Sequence, residues 1–520
     1  MKALTILLPI FTLSSLANSE LIHCHLAAHQ QQQQQCEALI PLLGQDKVFL
    51  PGSTNYDTSL ASYFSPQAAS VHPACFVTPK TVSEVAAAVK SLSASGAAFA
   101  VRGGGHQWFA GANSEPEGVT IDLRGLHSVK VSDDRSCITV GAGATWDAVY
   151  GALDPLGLSV AGGQIAGVGV GGLTLGGGLS YFGPREGWTC NQVTRFEVVL
   201  ADGSVVEAAE TGPNADLWWG LRGGTNNFGI VTSMTYRTFK QDLLWQTMTV
   251  HPITEADNLA RTIAGLMAGG TYDPDSFFLT GWTYLSQQNI SVAMTQLVHT
   301  RPSGDSVPEL YKPILALPTI QALQSPPVVA NMSTLAERGV QLRVPLAARY
   351  LSAATTFVPT EAMIRNVHEA FATSVERVRQ VSGLRWIVSI EPFAPSLYDN
   401  SPDNGARQNA LGLGAAPRRH GGRHETLATL VVSPAWTEAG DDDTVYAAAR
   451  GLVADVEARA RGLGVYDPFL FMNYAAPWQD VIASYGEESV AKLRALRERV
   501  DPGEVFTKQV KGGFKIPSSD

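Results

Sequence analysis

Two glycine clusters and a few titratable side chains carry the chemistry that this sequence can do. Arg102-Gly103-Gly104-Gly105-His106 sets an imidazole at the end of three glycines, and the stretch from Gly162 to Gly187 is glycine-rich throughout. Glycine has no Cβ, so its backbone enters positive φ and its N–H groups approach a phosphate or a planar ring closely. A large anionic or flat cofactor is therefore implied. Glu391 lies in the apolar run Trp386 to Glu391. A carboxylate partly buried there has a raised pKa suited to proton abstraction; the alternative is a strand-end charge before Pro392 with no catalytic part. Tyr181, beside the second cluster, and Tyr474 are further candidates, or else packing aromatics with satisfied hydroxyls.

Gly167, Gly169 and Gly172 match the dinucleotide spacing G-x-G-x-x-G. A nicotinamide site needs a strand before that motif and an apolar-periodic helix after it. Gly176-Gly177-Gly178 and Gly183-Pro184 follow instead, and neither continues a helix, so the nicotinamide reading is set aside.

The elements that position the first cluster are legible. Cys75-Phe76-Val77 reads as a strand, Thr81 and Glu84 form a capping box, and Val82, Val85, Val89 and Leu92 follow at helical spacing. A second strand, Ala97 to Val101, runs into the Gly-Gly-Gly-His loop. Short strands are expected around Val119 to Leu123, Ile138 to Val140 and Arg195 to Leu200, the last turning at Asp202-Gly203 into Val205-Val206. The fold class is α+β.

At 520 residues the chain needs more than one core. A net charge of −10 without a long basic run argues against nucleic acid and anionic membranes as partners and favours a small molecule. Lys2 and the apolar stretch Ala3 to Leu16 read as a signal peptide ending near Ser19, too short to span a bilayer. The protein is thus expected to be secreted, where Cys36 and Cys75, flanking a turn-rich segment, pair as a disulfide. Cys24, Cys137 and Cys190 have no obvious partner, and Cys137 reads as an inert core thiol. Gln30 to Gln35 are expected to be unstructured, and His23-Cys24-His25 lacks the second ligand cluster that a metal site needs. Asn289 and Asn331 begin candidate glycosylation sequons.

The first cluster, Val168-Gly169-Val170-Gly171-Gly172 with Gly176-Gly177-Gly178, and Asp216-Leu217-Trp218-Trp219-Gly220-Leu221-Arg222-Gly223-Gly224 occur in one order. Asn226-Asn227-Phe228-Gly229-Ile230-Val231, Asn473-Tyr474 and Lys511-Gly512-Gly513-Phe514-Lys515 follow. This ordered set, across roughly residues 36 to 516, resembles the berberine bridge enzyme-like branch of the FAD-linked oxidases, whose flavin module is of the p-cresol methylhydroxylase (PCMH) type. The resemblance implies an FAD domain of two α+β subdomains over residues 69–240, after a leader at 1–19 and an N-terminal segment at 20–68. It further implies a substrate domain at 241–465, with an antiparallel sheet backed by helices, and a segment at 466–520 returning to the FAD domain. The last helix, with Val490, Leu493, Leu496 and Val500 on one side, should stop at Asp501-Pro502-Gly503.

By the same resemblance, FAD is joined through its 8α-methyl carbon to His106. Its other contacts fall on Arg102, Gly103, Gly104, Gly105, Gln107, Gly167, Val168, Gly171, Gly172, Gly176, Gly177, Asn191, Val193, Gly229, Ile230, Val231 and Asn473. Many relatives make a second covalent link through a cysteine at the position of Ile165; isoleucine has no nucleophilic atom, so a single histidyl link is expected. Val168 stands where relatives differ in oxygen access and resembles the oxidase type. Phe471 replaces a tyrosine that relatives use as a base, which leaves Glu391, Tyr181 and Tyr474 as the candidates. The resulting expectation is an oxidase that passes two electrons from a small organic substrate through FAD to O2. The rival is a flavin-bearing cyclase-like or binding protein with little redox turnover.

Overall fold

The computed structural model of the chain describes residues 33–268, 272–341, 348–397, 409–413 and 426–517. The expected leader, His23, Cys24 and His25 lie outside the described residues. Helix Val82–Ser95 begins as its capping box dictates: the Thr81 hydroxyl accepts from the Glu84 N–H, and the Glu84 carboxylate accepts from the Thr81 N–H. Such a cap contributes about 1 kcal/mol. Val85, Val89 and Leu92 are buried on one face, and Gly96 at φ 69° ends the helix in the left-handed conformation.

The helix connects strands Cys75–Val77 and Phe99–Arg102, which flank Val119–Asp122 in parallel within a four-stranded sheet. Strand Val48–Phe49, from the N-terminal segment, adds to its edge in antiparallel. A second, antiparallel sheet is ordered Val129–Val131, Cys137–Gly141, Ile230–Arg237, Val193–Val199 and Val205–Ala209. These two sheets and the helices on them share one apolar core. Among the described residues the third sheet has ten strands, all antiparallel, with Leu244–Pro252, Ile290–His299, Ser276–Leu285, Arg385–Phe393 and Leu427–Val432 as adjacent members. Helices Ala256–Met267, Glu361–Val378 and Asp442–Gly462 bury their apolar stripes against one face, forming the second core. The α+β architecture is thus as expected, with the large antiparallel sheet backed by helices. Helix Glu487–Val500 buries Val490, Leu493, Leu496 and Val500 and stops before Asp501.

Cys36 and Cys75 are disulfide-bonded. The polyglutamine expectation needs correcting in part, because Gln33 to Gln35 are helical within the described stretch 33–43, while Gln30 to Gln32 lie outside the described residues. The stability of that stretch comes from beyond the run: Cys36, Leu39 and Leu43 recur on one face and are buried. Cys137 and Cys190 are free thiols; Cys190 is fully buried, which pushes its pKa up to about 12, while Cys137 is half-buried. The G-x-G-x-x-G stretch ends in a helix of only six residues, Val170–Leu175, closed by Gly176. Among the described residues, no helix is long and apolar enough to cross a membrane, and no His/Cys/Asp/Glu group could hold a metal.

Candidate active site

Strand Phe99–Arg102 delivers the Gly103-Gly104-Gly105-His106 loop to the side of the parallel sheet where the second glycine loop arrives. The two loops touch backbone to backbone: a Cβ on Gly104 would sit 2.6 Å from Gly169 Cα, and one on Gly169 would sit 2.5 Å from Gly104 N. No side chain fits at either position. The loops border a cleft of about 330 Å³.

Gly103, Gly104, Gly105, His106 and Gln107 line this cleft, together with Val168, Gly171, Gly172 and Gly176 from the second loop. Gly229, Ile230 and Val231 border it from the start of a strand, and Asn473 from the C-terminal segment. Asn473 also clamps the second loop, donating to the Gly172 and Leu173 carbonyls and accepting from the Gly178 N–H. Five of the expected cofactor contacts do not reach the cleft. Arg102 is fully buried beneath the first loop, where it bonds to the Ser59 and Ser62 carbonyls and lies 3.6 Å from Asp122. The Gly167 N–H is held by Asp147, Gly177 faces Leu411 and Phe471, and the Asn191 side chain takes Arg222 and Asn409. Val193 begins a core strand, its carbonyl accepting from Trp218.

Among the described lining residues none is Asp, Glu, Lys or Arg. Neutral amides and glycine backbone face the cavity, close backbone packing at Gly104, Gly169 and Gly171 excludes side chains, and at Gly172 a Cβ would meet nothing within 4 Å, which leaves bare backbone for a flat ring or a diphosphate. These residues fit FAD. His106, half-buried, has its ring stacked on Phe64 at 4.0 Å.

At the end lined by Gln164, Ile165, Leu173 and Tyr474 lies the most perturbed acid near the cleft. Glu391, on strand Arg385–Phe393, has no exposed surface and does not itself line the cavity. Its Oε2 accepts from the Tyr474 hydroxyl at 2.8 Å and its Oε1 from Gln164 Nε2 at 3.2 Å. Burial pushes its carboxyl from 4.5 up to about 7, and these two donors oppose the rise. Tyr474 and Gln164 do line the cleft, so the carboxylate reaches it through them. Glu391 and Tyr474 are brought together; Tyr181 is not brought to them. Its buried hydroxyl accepts from Gln296 at 2.9 Å and Gln246 at 3.4 Å, and its ring packs edge-on against Phe277. Phe471 fills its position as an apolar wall, packed on Trp188 and edge-on to Tyr474. Ile165 is pressed by helix Met332–Gln341, whose Gly339 has room for a Cβ only 3.2 Å from the Ile165 side chain.

Sequence reasoning missed Gln164 and Phe64. Gln164 carried a signal, as a lone amide between Gly163 and Ile165 in an otherwise small and apolar loop; Phe64 carried none.

Residues 73–209 match the family described as FAD binding domain. The FAD-dependent monooxygenase CTB5 of Cercospora beticola is 32% identical, over 93% of this chain and 91% of its own. The FAD-dependent monooxygenase drtC of Aspergillus calidoustus is 31% identical, over 91% and 88%. A protein named oligopeptidase PhomG' of Diaporthe leptostromiformis is 36% identical over 92% of this chain, which spans 37% of its length. Among solved structures, 6-hydroxy-D-nicotine oxidase of Arthrobacter nicotinovorans superposes with a TM-score of 0.73 at 18% identity, over 91% of this chain and 97% of that one. Glucooligosaccharide oxidase of Acremonium strictum, described with a 6-S-cysteinyl, 8α-N1-histidyl FAD, superposes at 0.72 and 19%, over 94% and 99%.

Proposed function

Because this chain belongs to the berberine bridge enzyme-like FAD-linked oxidoreductases, with a PCMH-type flavin module, we propose that it is a secreted oxidase of a small organic, secondary-metabolite-like molecule, with FAD held covalently by His106. The enzyme class follows from its relatives. The observation that carries the proposal is the Tyr474–Glu391 pair at one end of the flavin cleft. Bound FAD supplies hydride acceptance at N5 and, once reduced, gives its electrons to O2 as hydrogen peroxide.

The chain's own residues handle the proton. Tyr474 meets the substrate, takes the proton from the group being oxidised and passes its own along the 2.8 Å bond to Glu391. A carboxyl near 7 accepts that proton readily at neutral pH and returns it to solvent without a large penalty in either direction. Phe471, Ile165, Leu173 and Leu179 give this end of the cleft an apolar wall, which keeps water from the exchange and suits an apolar or aromatic substrate. Secretion is supported by the apolar leader and by the Cys36–Cys75 disulfide, a bond that persists in oxidising compartments.

The relatives' names favour a second reading, monooxygenation, in which one oxygen atom of O2 enters the product. Turnover of a substrate hit under ¹⁸O₂ separates them. An oxidase gives unlabelled product and one peroxide per product, whereas a monooxygenase gives labelled product. Failure of every substrate in a broad panel to bleach the flavin anaerobically would favour instead the cyclase-like or binding role.

A further inference from the structure

The loop that carries His106 is gripped along its length by the segment around residues 59–67. Arg102 donates to the Ser59 and Ser62 carbonyls, the Phe64 N–H donates to the Gly105 carbonyl at 3.1 Å, and the Ser65 hydroxyl donates to the Trp108 carbonyl. Within this grip the Phe64 ring stacks on the His106 imidazole, centroids 4.0 Å apart and planes 20° from parallel. Tyr350 rests on Phe64 in turn, at 4.5 Å. Its strand is fixed to the same segment by Gln67, which donates to the Tyr350 carbonyl at 2.7 Å and accepts from its N–H. The segment is itself closed into a loop by the Cys36–Cys75 disulfide.

We propose that Phe64, backed by Tyr350, is a positioning residue for the covalent attachment of FAD: its ring fixes the plane of the His106 imidazole so that a ring nitrogen is presented to the cofactor's methyl carbon. The inference rests on the reading of His106 as the attachment point. In that step an imidazole N–H and a methyl C–H are broken and a C–N bond forms; molecular oxygen carries off the two hydrogens, with their electrons, as hydrogen peroxide. Three consecutive glycines before His106 leave its backbone intrinsically free, and an imidazole adds two side-chain torsions. Bond formation needs that freedom removed, because attack succeeds only from a narrow range of distances and angles. A benzene ring does this by face contact and takes up neither imidazole nitrogen itself.

The test compares wild type, Phe64→Leu, Phe64→Tyr and Tyr350→Leu, each purified with its flavin, by total flavin per chain and by the fraction released on acid precipitation. Phe64→Leu should still bind FAD but raise the released fraction at least fivefold, Phe64→Tyr should match wild type, and Tyr350→Leu should fall between. Normal attachment in a flavin-loaded Phe64→Leu protein overturns the proposal. Should that variant not fold, normal attachment in Tyr350→Leu overturns it equally, and raised release there sustains it. Complete release from the wild type would instead sink the reading of His106, on which the proposal stands.

Discussion

Replacing Glu391 by glutamine tests the buried base by its thermodynamics before any substrate is known. The glutamine keeps the shape of the side chain: its oxygen accepts from Tyr474, and the Gln164 amide turns to accept from its nitrogen, so no buried polar group is orphaned. What disappears is a titration. In the folded protein the Glu391 carboxyl sits near 7, against 4.5 in the unfolded chain. With the folded value raised, its contribution to stability is fully present below 4.5 and is lost as pH climbs through 7. At about 1.4 kcal/mol per pH decade, ionising it in place costs about 3 kcal/mol by pH 8.5. Wild type and Glu391→Gln should therefore differ little at pH 5, while the variant should be more stable at pH 8.5. For a chain unfolding as one unit that is about 3 °C in Tm, readable by calorimetry on the flavin-loaded protein. The same variant should lose the acid limb near pH 7 in the rate of substrate-driven flavin reduction. An equal Tm difference at both pH values, or a variant less stable at pH 8.5, would refute a buried, strained acid at this position.

Three further perturbations address neighbouring parts of the argument. Gln164→Leu removes a donor that stabilises the ionised Glu391, so the acid limb of flavin reduction should move above its wild-type position near 7; a limb that stays put means that the contact has no electrostatic role. Val168→Leu adds a methylene at the cleft wall and should slow reoxidation of reduced flavin about tenfold, roughly 1.4 kcal/mol of barrier, with little change in reduction by substrate. Stopped-flow traces under air report both halves, and equal slowing would indicate a displaced flavin instead. Replacing Cys36 and Cys75 together by serine opens a loop with a sequence separation of 39 and should cost about 4 kcal/mol on a chain-entropy basis, seen as a lower denaturation midpoint.

What was legible in the sequence is what local chemistry determines. The capping box at Thr81 and Glu84 and the triple glycine before His106 act over a few residues, so their types reveal their conformations. The helical stretch over 33–43 was hidden because Gln33 to Gln35 are neutral to the outcome, while Cys36, Leu39 and Leu43 decide it from further along. Arg102 looked like a cofactor ligand because it adjoins the glycine loop; strand alternation turns it away from the cleft, into a pocket built by Ser59, Ser62 and Asp122.

The contacts at Glu391 belong to a different class. Tyr474 is 83 residues away in sequence and Gln164 is 227 away, so no spacing rule could couple them. One carboxylate gathers three distant parts of the chain: a strand of the large sheet, the glycine loop that borders the cleft, and the C-terminal segment that carries Tyr474. Its pKa depends on all three. Burial requires the sheet to be docked on the flavin module, and each donor is present only if its own loop is in register. Loosening that docking by a few ångströms would admit water, return the carboxyl toward 4.5 and separate it from Tyr474, and it would also part Phe277, Val298, Phe393 and Leu427 of the sheet from the core they share with the flavin module. Alterations between the layers should therefore impair the chemistry and the shared core together, and the Ile165–Gly339 approach, where helix Met332–Gln341 meets the loop that carries Gln164, is one place where packing and site are joined.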